Sequence, residues 1–153
     1  MSIIKLSFKD RTLLFAKLSS IAYNNTKKAT SQAKKLGFTT TEFYDKDGAQ
    51  AYRFMNKTDI VIACRGTQPN EFNDIRADLR AVPVMAETVG KVHLGFKQEV
   101  DDLWPKVCED INRKANLKKH LWFCGHSLGA AMATIMASRC LHDVELNDPV
   151  ELH

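Results

Sequence analysis

Gly125, Ser127 and Gly129 recur at every second position, between the apolar run Leu121-Trp122-Phe123-Cys124 and the small-residue stretch Leu128-Gly129-Ala130-Ala131. This is the pattern of a serine prepared for covalent chemistry. A hydroxyl attacks a carbonyl carbon only if it stands clear of its surroundings and a base can take its proton. A strand that turns abruptly into a helix strains the residue at the corner and exposes its side chain. Strand and helix nearly touch there, so the residues two before and two after must be small. Gly125 and Gly129 meet that need, and Ala130, Ala131 and Ala133 keep the following helix slim. The first amides of that helix would point at whatever Ser127 attacks. The alternative is a glycine-rich turn whose hydroxyl is inert.

The elements that must hold this corner are legible as alternating patterns. Residues 120–124 read as the strand feeding Ser127, and the helix after it runs to about 141, with Met132, Ile135 and Met136 on its apolar face. Ile60-Val61-Ile62-Ala63-Cys64 is a continuous apolar run, as expected of a strand covered on both faces, and it ends in Arg65-Gly66-Thr67. Ser7-Phe8-Lys9-Asp10 matches a helix-start box, and Leu14, Leu18, Ile21 and Ala22 predict an amphipathic helix over residues 9–23. A short second helix carries Ala29, Ala33 and Leu36 on one face and stops at Gly37. Residues 38–44 and 51–55 read as strands joined by the turn Asp45-Lys46-Asp47-Gly48, with Phe43, Tyr52 and Phe54 as core. Residues 68–80 are polar but place Phe72, Ile75 and Leu79 at helical spacing, while residues 81–84 are extended. Val92-His93-Leu94-Gly95-Phe96 starts the next unit. Residues 96–115 form a helix pattern with Val100, Leu103, Trp104, Val107 and Ile111 on one stripe, and Pro105 within it predicts a kink or a late start. Asn147-Asp148-Pro149 is a turn, and residues 150–153 open another strand. Strands alternating with long helices imply an α/β fold, a mostly parallel sheet with an N-terminal antiparallel hairpin and helices on both faces.

Composition narrows the function. The 153 residues suffice for one domain, the net charge of +4 is mild, and the basic residues are spread along the chain. No basic block with interleaved aromatics suggests nucleic acid. No stretch approaches the roughly 20 apolar residues of a membrane span. Cys64, Cys108, Cys124 and Cys140 include no Cys-x-x-Cys pair, so buried free thiols are expected rather than a disulfide or a metal site. Lys5, Lys9, Asp10, Arg11 and Lys17 break up any signal peptide, which leaves location open between the cytoplasm and export by a leader not seen in this sequence.

Three separated blocks resemble the class 3 lipases, the fungal-lipase-like branch of the α/β-hydrolases. They are Cys64-Arg65-Gly66-Thr67; Arg76-Ala77-Asp78-Leu79 through Val82-Pro83-Val84 to Val92-His93-Leu94-Gly95-Phe96; and Gly125-His126-Ser127-Leu128-Gly129. Their order and spacing match over residues 60–139. The resemblance implies an enzyme that attacks carboxylic esters of lipids, commonly acylglycerols, through an acyl-serine and without a cofactor. It implies Ser127 as nucleophile, the Leu128 N–H as one oxyanion donor, and Thr67 as the other through its N–H and hydroxyl. It puts residues 68–79 at the lid position, as either a lid that opens at a lipid surface or a fixed cover. Cys64 stands where Phe is usual, a departure expected to affect packing only.

In α/β-hydrolases the triad order is Ser, then Asp or Glu, then His, and in this family both lie beyond the point where the sequence stops. His142 and Asp143 fall about 20 Å from Ser127, at the far end of its helix. His126 is held by the corner, His93 is expected to pack structurally, Asp148 would open the next strand at the opposite edge of the sheet, and no acid follows His153. Residues 1–153 are therefore expected to be the N-terminal part of one lipase-like domain, poorly active or inactive alone. The competing readings are a non-catalytic hydrolase-like binding module and a phospholipase or acyltransferase using the same serine.

Overall fold

Alternating apolar positions in the strands give the sheet two buried faces, each covered by its own pair of helices. The computed structural model describes residues 2–66, 83–85, 91–143 and 151–152. In chain order the elements are α1 (Phe8–Ile21), α2 (Thr26–Lys35), β1 (Thr40–Lys46), β2 (Ala49–Met55), β3 (Asp59–Arg65), β4 (Pro83–Met85), β5 (Lys91–His93), α3 (Leu94–Ile111), β6 (His120–Gly125), α4 (Leu128–Asp143) and β7 (Glu151–Leu152). Among the described residues the main sheet has the order β1-β2-β3-β6-β7. The hairpin β1–β2 joins β3 antiparallel, whereas β3, β6 and β7 run parallel. The parallel part carries the serine corner. The short pair β4–β5 forms a separate ribbon.

Local chemistry explains the element ends. The Ser7 hydroxyl accepts from the Asp10 N–H at 3.2 Å and donates to the Asp10 carboxylate at 2.6 Å, closing the box that starts α1. The Asn25 side chain accepts from the Lys28 N–H at 3.0 Å and caps α2. The hairpin turn is tighter than the four residues expected. Lys46 pairs with Ala49, leaving Asp47 at φ 52° and Gly48 at φ 91° as a two-residue turn of the kind that matches strand twist. The late start expected at Pro105 does not occur, because α3 runs from Leu94 through the proline to Ile111. The stripe Val100, Leu103, Trp104, Val107 and Ile111 is buried on both sides of Pro105, and that burial outweighs the lost backbone hydrogen bond.

One core lies between α1, α2 and the sheet face bearing Tyr52, Phe54, Val61, Ala63, Trp122 and Cys124. The other lies between α3, α4 and the face bearing Ile60, Ile62, Cys64, Leu121 and Phe123. Buried polar groups pin each face. The Asp59 carboxylate, fully buried, accepts from the Ile3 N–H at 3.2 Å, the Trp122 indole N–H at 2.9 Å and the Thr58 hydroxyl at 2.5 Å. On the opposite face, buried Asp110 accepts from the Tyr44 hydroxyl at 2.8 Å and lies 3.2 Å from the Arg53 guanidinium. All four cysteines are free, and Cys64, Cys124 and Cys140 are buried.

Candidate active site

Three backbone segments converge where β6 turns into α4. A Cβ added at Gly125 would come closer than 3.0 Å to the carbonyl of Gly129, and one added at Gly129 would do the same to the Cys64 carbonyl at the end of β3. Real Cβ atoms essentially never come so close to backbone, so a side chain at either position forces the corner to shift. The third segment is Gly66, just past β3. A Cβ there would lie 2.8 Å from the His126 carbonyl, 2.9 Å from the Tyr23 hydroxyl and 3.0 Å from the Gly129 nitrogen. The two parallel strands are in register here, Cys64 pairing with Gly125, so β3 and β6 deliver their carboxyl ends to one place.

Ser127 occupies the corner at φ 56°, in the left-handed region that a side-chain-bearing residue enters only under constraint. Its side chain is exposed. Helix α4 begins one residue later, and its first turn is set by Gly129 N–H to His126 carbonyl at 3.0 Å and Ala130 N–H to Ser127 carbonyl at 2.9 Å. The Leu128 N–H precedes both and has no acceptor among the described residues. The corner therefore joins an exposed hydroxyl, a first-turn amide and the positive end of a 16-residue helix.

His126 is turned toward α1. Its Nδ1 and its carbonyl each lie 3.4 Å from the Tyr23 hydroxyl, and the two rings meet edge-on at 6.2 Å. The Arg65 guanidinium lies over the Tyr23 ring, 5.9 Å from its centroid. Tyr23 was not singled out by sequence, because a tyrosine ending an amphipathic helix carries no local signal. Only the parallel packing of α1 along β6 brings it to the corner. Gly66 was visible only as part of Arg65-Gly66-Thr67.

The structure brings Gly125, His126, Ser127, Leu128 and Gly129 together. Thr67 lies outside the described residues, directly after Gly66, as do residues 68–80 with the expected lid, Asp148 and His153. Among the described residues no three His, Cys, Asp or Glu side chains converge as a metal-holding group, and no helix is long and apolar enough to cross a membrane. The thiols flanking the corner are held protonated. Burial, with the neighbouring Cys124 adding to it, pushes Cys64 far up, and burial pushes Cys124 up to about 12 against a hydrogen bond from Ser19.

Comparison with known proteins agrees with this architecture. The family model described as Lipase (class 3) matches residues 61–152. No curated protein sequence matches the chain. Among solved structures, the lipase of Rhizomucor miehei in its propeptide complex is similar at a TM-score of 0.76 and 20% identity, over 96% of this chain and 52% of that one. The Rhizomucor miehei triacylglyceride lipase gives 0.69 and 21%, over 96% and 62%. A lipase from Rhizopus microsporus var. chinensis gives 0.71 and 18%, over 97% and 57%. The chain thus spans between about half and three fifths of the length of these structures. At such identities the likeness concerns the fold, which is that of an α/β-hydrolase.

Proposed function

Because the chain belongs to the class 3 lipase family, we propose that it is part of a serine ester hydrolase acting on lipid esters through an acyl-serine intermediate. The observation that carries this reading is the exposed Ser127 at φ 56°, wedged between two glycines where a side chain would force the corner to shift. In this reading the Ser127 Oγ attacks the ester carbonyl carbon and loses its proton to a base. The alcohol leaves with a proton, and water then releases the acid. Negative charge on the carbonyl oxygen is taken up by the Leu128 N–H and by Thr67, each donor contributing about 3–4 kcal/mol to lowering the barrier. Gly125, His126 and Gly129 shape the turn. In this reading residues 68–79 supply the lid or a fixed cover.

His126 is an unsuitable base, since its ring nitrogen faces Tyr23 and its backbone is fixed by the turn. The order Ser, acid, His puts the base and its orienting acid after α4 in sequence, and we assign neither to residues 1–153. The 153-residue chain is then a weak or silent esterase that still presents an exposed serine. A fluorophosphonate probe should label Ser127 in the full-length protein and fail on Ser127→Ala. Thr67→Val should slow turnover of a short p-nitrophenyl ester by about 10²-fold. Absence of any labelling in the full-length protein would instead favour a non-catalytic binding module. A screen of acylglycerols against phospholipids, with and without an alcohol acceptor, separates lipase from phospholipase and acyltransferase.

A further inference from the structure

The first 36 residues hold eight of the chain's 22 lysines and arginines but one of its 18 acidic residues. They carry a net +7 while the remainder is net −3. What looks evenly spread along the sequence is concentrated in space, because these residues build one layer. Helices α1 and α2 bury Leu14, Leu18, Ile21, Ala29 and Ala33 against the sheet and turn their other faces outward. Lys5, Lys9, Lys17, Lys27, Lys28, Lys34 and Lys35 are all exposed, and none is in an ion pair with a described residue. Apolar side chains stand among them: Phe8 is 78% exposed, Leu13 52% and Ile4 46%. Leu13 sits one helical turn from both Lys9 and Lys17, in a single outward row. The opposite cover is less basic, since α3 carries Glu99, Asp101, Asp102, Glu109 and Asp110 against Lys97 and Lys106, a net −3, with Asp101 and Asp110 held in ion pairs. Among the described residues the α1–α2 cover and α3 therefore carry net charges of opposite sign.

We propose that the outer face of α1 and α2 docks this protein on an anionic lipid bilayer. Lysines beside exposed Phe, Leu and Ile fit the headgroup boundary of such a surface, where charge attracts and apolar tips insert. A nucleic-acid backbone would use the lysines but leave Phe8, Leu13 and Ile4 in water. The geometry suits a hydrolase. Ile3 is tied to Asp59 at the start of β3, and Tyr23 reaches His126 at the end of β6, so α1 runs the length of the sheet. Phe8 is about 20 Å along the helix from the corner. Docking by this flank holds the protein at a membrane without covering Ser127. The proposal does not rest on the hydrolase reading, since binding is measured without turnover.

The test is co-sedimentation of the full-length protein with vesicles of phosphatidylcholine alone, and with about one third phosphatidylserine. Binding should require the anionic lipid and fall steeply as salt shortens the screening length. Neutralising α2 with Lys27→Gln, Lys28→Gln, Lys34→Gln and Lys35→Gln should weaken binding at least about tenfold. The pair Phe8→Ser and Leu13→Ser should weaken it while leaving its salt dependence in place. Circular dichroism melts of both variants show that the fold is kept, and fluorophosphonate labelling of Ser127 should be unchanged. Equal sedimentation with both vesicles, unweakened binding by the folded variants, or binding to a DNA duplex in preference to the anionic vesicles would each overturn the proposal.

Discussion

At the residue scale the corner makes a claim about strain that can be measured apart from catalysis. A left-handed serine costs about 1–2 kcal/mol relative to a residue without Cβ. Ser127→Gly removes that cost, offset in part by the freedom glycine brings to the unfolded chain. Ser127→Ala keeps the strain. Ser127→Gly should therefore melt about 2–4 °C above Ser127→Ala, and equal melting temperatures would show that the turn is relaxed. Gly129→Ala goes the other way. Its methyl group would press into the Cys64 carbonyl and the Gly66 nitrogen, so β3, β6 or α4 must shift. Overpacking of backbone against backbone should cost about 1–3 kcal/mol, read as a lower denaturant midpoint with an unchanged slope. The spacing of Gly125, Ser127 and Gly129 made this corner legible in sequence, because two glycines flanking a serine describe a steric requirement directly. Tyr23 and the stacking of Arg65 on it were not legible, since they depend on which helix lies beside which strand.

At the element scale, period and caps carried most of the fold. Ser7 read as a helix start because a side-chain oxygen at that point satisfies a free amide, and it does so; the matching cap of α2 by Asn25 emerges only in the structure. The unbroken apolar run at residues 60–64 read as a doubly covered strand, and β3 is buried along nearly its whole length. Boundaries were less legible. The hairpin turn shrank to two residues because strand pairing extends as far as backbone geometry allows, and α3 passed Pro105 because tertiary burial overrode local preference. Polar clamps inside the core left no periodic trace. Asp59 follows Thr58 in what looks like a surface turn, yet its carboxylate ties the N-terminal segment to β6. Asp59→Asn would present an amide N–H₂ to at least one of three donors, leaving buried groups unpaired at about 2–3 kcal/mol. A drop of about 5–10 °C in melting temperature is expected. Trypsin should then cut earlier at Lys5 and Lys9, because Ile3 loses its anchor. Unchanged cleavage there would mean that Asp59 serves Trp122 alone.

At the scale of the whole molecule, the two cores make stability depend on alkaline pH. Tyr44 is raised well above its ordinary 10.0, chiefly by burial, with the Arg53 charge opposing and the hydrogen bond to Asp110 adding. Cys64 and Cys124 are both raised from 9.0 by burial, Cys124 to about 12. Each is an acid whose folded form keeps a proton that the unfolded chain gives up. Their contribution is therefore whole below pH 9, where even the unfolded thiols stay protonated, and is lost as pH climbs through 9 toward 12. The two groups pin opposite faces of the sheet, Cys64 beside Met136 under α4 and Cys124 under α1, so no local opening relieves both. Each proton withheld contributes a slope of about 1.4 kcal/mol per pH unit. With two thiols and one phenol withheld, the slope above pH 10 approaches about 4 kcal/mol per unit, enough to exhaust a typical domain's margin within two or three units. Guanidinium midpoints should be flat from pH 7 to about 8.5 and fall progressively above pH 9. Iodoacetamide should modify half-buried Cys108 first at any pH, and Cys64 and Cys124 only as the midpoint collapses. A midpoint that holds steady to pH 11, or alkylation of Cys64 ahead of Cys108 in native buffer, would show that the cores open without global unfolding.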